Sequence, residues 1–294
     1  KIKTKFGDIR DFELLKKSMM EYNPEILVHM AAQPLVRYSY INPIETYSTN
    51  LMGTVNVLES ARYCSNLKSV VIITTDKCYE NIEKKDGYVE SDPMGGYDPY
   101  SSSKGCAELA TSAYIRSYFS ENNSPNVASV RAGNVIGGGD WSDDRLIPDI
   151  LNAFENNSEI IIRNPKATRP WQHVIEPLIG YLMLAEKLYD NSSYSGGWNF
   201  GPNYSDCKEV QWIIDSLIKK WEYKKNWRLD SNSNPHESNL LMLNCNKAKK
   251  NLGWSPNLNV DNALDLIIDW HKSWLKKDDM YEKSLSNIKK YLNG

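Results

Sequence analysis

The chain alternates short apolar runs with segments of helical spacing. Residues 25–32 (Glu-Ile-Leu-Val-His-Met-Ala-Ala) read as a buried strand. Residues 69–75 (Ser-Val-Val-Ile-Ile-Thr-Thr) form a nearly continuous β-branched run, as in a parallel strand covered on both faces. Residues 127–131 add a third short strand. Between these runs the apolar positions take up helical periodicity. Phe12, Leu15 and Met19 follow Asp11, a natural N-cap. Tyr47, Asn50/Leu51, Thr54, Leu58 and Ala61 mark a helix over 46–64, and another spans 100–119. This alternation predicts an α/β fold, a Rossmann-like doubly wound parallel sheet. Beyond Gly137-Gly138-Gly139 the texture changes: loops lengthen, Trp and Asn become frequent, and helices over 210–221 and 262–274 stand apart between polar segments. A second, smaller, mixed α/β domain is expected there. The Lys/Asp-rich tail after Lys276 reads as a solvated helix. No internal repeat is present.

Composition acts mainly by exclusion. The chain has 294 residues, 41% hydrophobic and 24% charged, which is ordinary globular usage. With 35 Lys+Arg against 37 Asp+Glu, the net charge of −2 lacks the basic surplus of a nucleic-acid binder. No apolar stretch is long enough to span a membrane as a helix. Five cysteines, an odd number without CxxC spacing, fit a reduced, cytoplasmic protein. Four histidines without an HxxxH pair give no reason to expect a metal site. The chain begins at Lys1 rather than Met, and no signal-peptide pattern follows, so the sequence reads as though it starts inside a longer one.

Open α/β sheets bind ligands beyond the carboxyl ends of their strands. Here those ends are Ala31-Ala32-Gln33, Thr74-Thr75-Asp76-Lys77 and Arg131-Ala132-Gly133-Asn134, all small or polar. Tyr100 and Lys104 form a YxxxK pattern, one helical turn apart on one face. An ammonium in that position favours phenolate and is expected to lower the tyrosine's pKa. Such a tyrosine can take an alcohol proton while hydride leaves the same carbon. The pattern occurs twice, but Tyr204 and Lys208 follow a loop-like Gly-Pro-Asn, whereas Tyr100 opens a long helix after a strand end.

Thr75, Tyr100-x-x-x-Lys104 and Arg131-Ala-Gly-Asn134 resemble the extended short-chain dehydrogenase/reductase family that acts on nucleotide sugars. The segments 31–37 (Ala-Ala-Gln-Pro-Leu-Val-Arg), 74–79 (Thr-Thr-Asp-Lys-Cys-Tyr), 95–101, 131–141 and 169–174 (Arg-Pro-Trp-Gln-His-Val) are similar to one subgroup, the CDP-glucose 4,6-dehydratases of bacterial dideoxysugar and lipopolysaccharide O-antigen synthesis. The resemblance runs from about Gly7 to beyond Trp254. It implies a cytoplasmic lyase with tightly held NAD, and a homodimer built on segments 46–64 and 100–119. It also implies an NAD-binding domain over 1–140 and 171–206 and a sugar-nucleotide domain over 141–170 and 207–294. One departure is plain. The family's glycine-rich phosphate loop has no counterpart here, because Gly137–Gly139 follows a later strand and lacks the third-glycine spacing. A first βαβ portion is therefore expected to be missing from this chain, with weak NAD binding and a damaged fold if the protein truly starts at Lys1.

The implied reaction takes hydride from C4 of glucose, eliminates water across C5–C6 and returns hydride to C6. The resemblance assigns catalysis to Thr75, Asp76, Lys77, Tyr100 and Lys104, with Asp76 as acid and Lys77 in the base position. It assigns the cofactor to Asp8, Ile9, Ala31, Ala32, Gln33, Asn50 and Thr74 together with Tyr100 and Lys104. CDP-glucose falls to Arg37, Asn134, Arg145, Ile147, Pro148, Arg163, Arg169, His236 and Glu237, with Arg169 on the diphosphate, where a planar guanidinium suits the group. Asp76-Lys77 also admits a plainer reading as a strand-end ion pair, and an arginine such as Arg37 or Arg163 one as surface charge. His29 and His173 read as core histidines, and most Trp as packing anchors. A 4-epimerase or decarboxylase on the same scaffold is the alternative, but an epimerase needs no acid/base pair after Thr75. A sugar-nucleotide sensor without catalysis is the other, supported only by the absent glycine loop.

Overall fold

A computed structural model describes residues 2–121, 124–232, 235 and 238–293. Its centre is a parallel sheet of four strands in the spatial order Ile26–His29, Ser69–Ile73, Asn126–Ala132 and Gly196–Phe200. Because side chains alternate across a strand, the two faces carry separate cores. Val70, Ile72 and Val127 meet Met19, Leu58, Leu67 and Phe119 from the helices and their ends on one side. Val71, Ala128 and Val130 meet Leu184, Leu188, Trp198, Phe200 and Trp254 on the other. The expected doubly wound sheet is therefore present. Its fourth strand, Gly196–Phe200, opens with two glycines and has no β-branched run to announce it.

The later half builds a third core. Helices Leu146–Glu155, Val210–Trp221 and Val260–Leu275 bury Ile147, Ile150, Leu151, Phe154, Ile213, Ile214, Leu217, Leu264 and Ile267 against the parallel pair Ile160–Ile162 and Trp227–Leu229. The glycine run 137–139 serves this packing. A Cβ at Gly138 would lie 2.3 Å from the Trp270 ring, and Gly139 sits at φ +80°.

Three expectations need correction. The helix over 46–64 is present but begins earlier and ends earlier, as contiguous Pro43–Tyr47, a π-helical turn Ser48–Met52 and Gly53–Ala61. The wide turn seats Asn50, whose amide accepts from Gln33 N (2.8 Å) and donates to Gln33 O (3.0 Å) and Ser103 Oγ (2.9 Å). Second, the strand over 25–32 is only Ile26–His29, because the chain leaves the sheet to make those Asn50 contacts. Third, the tail helix Met280–Asn293 is not solvated all round. It buries Asn287 and Tyr291, and the Tyr291 hydroxyl donates to Glu176 Oε2 at 2.8 Å. Glu176 is fully buried and its other oxygen accepts from Asn257 N and Leu258 N.

Replacing Tyr291 by Phe leaves a buried carboxylate oxygen without that donor. A loss on the order of 1–2 kcal/mol in unfolding free energy is expected, read as a lower urea midpoint. An unchanged midpoint would show that the tail helix is held by apolar contact alone.

Candidate active site

The sheet's carboxyl end opens into a cavity of about 990 Å³. Strand Ser69–Ile73 ends in Thr74 and Thr75, and the Thr75 hydroxyl accepts from Lys77 N (3.3 Å), capping a short 3₁₀ turn over Asp76–Cys78. The turn points Asp76 inward. Its side chain is fully buried, Thr75 Oγ1 donates to Oδ1 at 3.1 Å, and Oδ2 has no hydrogen-bond partner among the described residues. Burial raises its carboxyl above the usual range, against the opposing pull of Lys77, the Thr75 hydrogen bond and Arg169. Asn134 Oδ1 and Gln172 Oε1 are likewise buried without a partner. These residues gather round Gly133, where a Cβ would fall 2.1 Å from Asp76 Oδ2.

Tyr100 opens the helix Pro99–Tyr118, with Pro99 in its first turn and Asp98 capping through Ser101 N (2.9 Å). The sequence suggested that Lys104 would lower the Tyr100 phenol. In the structure the phenol is pushed up to about 12 by burial, although the Thr75 hydrogen bond pulls the other way. The buried Lys104 ammonium donates to Ile73 O at 3.2 Å, its only hydrogen-bond partner among the described residues.

The same cavity is lined by Thr75, Asp76, Lys77 and Tyr100, and by Arg37, Asn134, Arg145, Ile147, Pro148, Arg163 and Arg169. Its arginines face carboxylates. Asp144, held at φ +60°, receives Arg37 Nη1 at 2.9 Å and Arg163 Nη1 at 3.3 Å, and Asp140 receives Arg145 Nη1 at 3.3 Å. Arg169 donates to the carbonyls of Thr168 (2.9 Å) and Ser238 (2.6 Å). The sequence reading overlooked Asp144 and Asp149. Asp149 is pushed up to about 6 by burial and by Asp144 and Asp143. The run Asp143-Asp144-Arg145 was the available signal. His236 and Glu237 lie outside the described residues.

A second cavity, about 890 Å³, adjoins the first at Pro34 and Leu35 and is lined by Asp8, Ile9, Ala31, Ala32 and Gln33. Asp8 pairs with Arg10 at 2.6 Å, and the hydrogen bonds from Arg10 hold its carboxyl down to about 2. Small Ala31 and Ala32 leave backbone open to an elongated guest. Gln33 and Asn50 instead use their side chains within the chain: Gln33 Nε2 donates to Thr46 Oγ1 (2.9 Å) and Leu35 O (3.1 Å). Thr74 also turns its hydroxyl away from the cleft, toward Glu108 and Val130 O. His29, beside Thr54 Oγ1 (3.2 Å), and His173 are buried and held down to about 4, as neutral core histidines. Tyr204 is exposed and lies outside both cavities.

The family model described as GDP-mannose 4,6 dehydratase matches residues 1–267, and the chain belongs to that family. More narrowly, it is 54% identical over 293 residues to CDP-glucose 4,6-dehydratase of Salmonella typhimurium, covering 98% of this chain and 82% of that one. Among solved structures, the fold is similar to UDP-glucose 4-epimerase of Thermotoga maritima with UDP-glucose (TM-score 0.81, 21% identity, covering 92% of this chain and 84% of that one). It is also similar to dTDP-glucose 4,6-dehydratase of Bacillus anthracis in complex with NAD (TM-score 0.75, 22% identity, covering 91% of this chain and 78% of that one).

A raised folded-state pKa at Asp76 means that the folded chain holds this proton more tightly than the unfolded one. Its favourable contribution is complete below the ordinary carboxylate value and is lost as pH rises through the folded value. Asp76→Asn does not titrate and places a donor at the orphan oxygen. It should be more stable than the parent at pH 8, by roughly 1–3 kcal/mol, with the gap closing toward pH 4. Thermal melts at the two pH values test this, and a pH-independent difference would contradict a buried, proton-holding Asp76.

Proposed function

We propose that the chain is an NAD-dependent hydro-lyase converting CDP-D-glucose to CDP-4-keto-6-deoxy-D-glucose. The observation that carries this reading is Asp76, a fully buried carboxyl in one cavity with Thr75 and Tyr100, raised by that burial above its ordinary range. The 54% identity to a CDP-glucose 4,6-dehydratase supports the substrate. A 4-epimerase needs only Thr75 and Tyr100, so a proton donor at position 76 favours dehydration over epimerisation.

When bound, NAD would supply the hydride acceptor for C4 oxidation and the hydride donor for C6. The fit of the chain to that group rests on the small-residue groove at Ala31 and Ala32; Lys104 lines neither cavity, although its ammonium has hydrogens to offer beyond Ile73 O. Asp8 and Ile9 line the same cavity as Ala31 and Ala32. Tyr100, in the phenolate form that this step requires, takes the proton from the sugar's 4-hydroxyl, and Thr75, which hydrogen-bonds the phenol, orients that oxygen. Once C4 is a ketone, the C5 proton is acidic because the carbanion delocalises as an enolate. Asp76 gives its proton to the departing 6-hydroxyl, which leaves as water, and Lys77 is our assignment for the group that removes the C5 proton and returns it to C5 when hydride reaches C6. Arg37, Arg145, Arg163 and Arg169 supply cations for the diphosphate, and Asn134 an amide; Ile147 and Pro148 offer apolar contact to the base.

In this reading residues 1–140 and 171–206 hold the cofactor, and 141–170 and 207–294 hold the sugar nucleotide. We place the enzyme in the cytoplasm, in O-antigen dideoxysugar synthesis. Among the described residues no helix is long and apolar enough to cross a membrane. We assign a homodimer to the outer faces of Gly53–Ala61 and Pro99–Tyr118, where Leu109 and Tyr118 are exposed.

CDP-glucose deuterated at C4 tests the reaction. The label should move to C6 of a 4-keto-6-deoxy product. Label retained at C4 with the 6-hydroxyl in place would make the protein an epimerase. No product with any sugar nucleotide would favour a sensor. Tyr100→Phe should lower kcat by about 10²–10⁴-fold with little change in melting temperature, and near-normal turnover would remove Tyr100 from its role.

A further inference from the structure

The buried face of Pro99–Tyr118 carries a third charged or proton-bearing group in register. Tyr100, Lys104 and Glu108 lie four residues apart, and each is less than a tenth exposed. The strands opposite change character along their length. On this side of the sheet they offer Val70, Ile72 and Val127, then end in Thr74, Ser129 and Arg131. All three polar groups converge on Glu108. Its Oε1 accepts from Thr74 Oγ1 and from Arg131 Nε (2.9 Å), and its Oε2 from Ser129 Oγ (2.6 Å) and Arg131 Nη2 (2.8 Å). Burial alone would raise this carboxyl, yet Arg131 and the hydroxyl donors outweigh it and hold it below the usual range, so it is an anion. Arg131 is fixed in turn by Tyr79 Oη (2.6 Å) and Glu90 O (3.0 Å), and Tyr79 donates to Asn199 Oδ1 (2.7 Å).

One turn away, Lys104 needs a counter-charge. Its hydrogen-bond partner, Ile73 O, is neutral, and burial holds the ammonium down to about 8. The groups that face it are few. His29 is held down to about 4 and Cys78 is raised well above the ordinary thiol value, so both are neutral near pH 8; Arg131 is a cation already paired with Glu108. Glu108 is the negative group that favours the ammonium.

We infer that Glu108 is a positioning residue for the redox step, supplying the counter-charge of Lys104 and pinning the strand end that carries Thr75 to the helix that carries Tyr100. This rests on the reading of Tyr100 and Lys104 as the catalytic pair. Glu108 itself touches neither cavity. It acts through its neighbours: its bond to Thr74 fixes the residue before Thr75, and its charge acts on Lys104.

The test is a pH titration of the Lys104 Nζ signal in lysine-¹⁵N-labelled protein, assigned by its absence in Lys104→Met. Glu108→Gln keeps the shape and removes the charge. Because it strands Arg131, the double variant Glu108→Gln/Arg131→Met, which removes both buried charges, is measured beside it. The Nζ midpoint should fall by about one unit in the single variant and in the same direction in the double. The alkaline limb of kcat should fall with it, giving roughly fivefold lower kcat at pH 8, with KM for the sugar nucleotide within about threefold of the parent. A midpoint that stays put in a folded variant overturns the inference, even if its melting temperature drops. The NMR titration does not depend on turnover. A shifted midpoint with an unmoved kcat profile therefore overturns the positioning role alone, while a fully active Tyr100→Phe enzyme would overturn the functional reading.

Discussion

Parallel strands that end side by side present their last side chains to the same stretch of one helix. That constraint governs this molecule. Ser69–Ile73 and Asn126–Ala132 run in register, so Thr74, Ser129 and Arg131 arrive together at the face that holds Tyr100, Lys104 and Glu108. Apolar side chains near the strand starts provide cohesion, and polar ones near the ends must find partners in the dry interior. Glu108 answers most of them at once. Its bidentate contact with Arg131 is a charge pair both of whose members are buried, an arrangement that costs desolvation and therefore needs close hydrogen bonding to persist. Both oxygens are doubly satisfied, which meets that condition.

A second consequence of the same geometry is the contrast between two neighbouring carboxyls. Glu108 and Asp76 are both buried, yet one carboxyl is held below its ordinary range and the other is raised above it. The difference lies in donors. Glu108 receives a guanidinium fork and two hydroxyls; Asp76 receives one hydroxyl and faces Gly133 with an oxygen unmatched. Environment, rather than residue type, moves these two carboxyls in opposite directions.

Much of this was readable from residue order. The β-branched strands declare themselves because burial on two faces admits little else, and Thr75, Asp76, Tyr100 and Lys104 stand at strand ends or at helical spacing. What eluded the sequence depended on distant partners. The π-helical turn around Asn50 exists because Gln33 and Ser103 lie where that amide can reach them. The tail looked solvated because its anchor, Glu176, is 115 residues away from Tyr291. The phenol of Tyr100 moved opposite to expectation because burial outweighed its attractive neighbours, and burial leaves no local mark. Glu108 was the next step in the Tyr100–Lys104 register, but an acidic residue on a helix is ordinarily taken for a surface group.

The carboxylate of Asp144 bridges Arg37 and Arg163, which come from different parts of the chain, across the mouth of the larger cavity. An anionic guest therefore does not meet bare cations there. It replaces an anion the protein already owns, so entry resembles ion exchange more than neutralisation. Affinity at such a mouth depends on how much better the newcomer fits the guanidinium forks than Asp144 does. Dissolved salt, which weakens both pairings alike, then has far less leverage over the outcome than the number of arginines suggests.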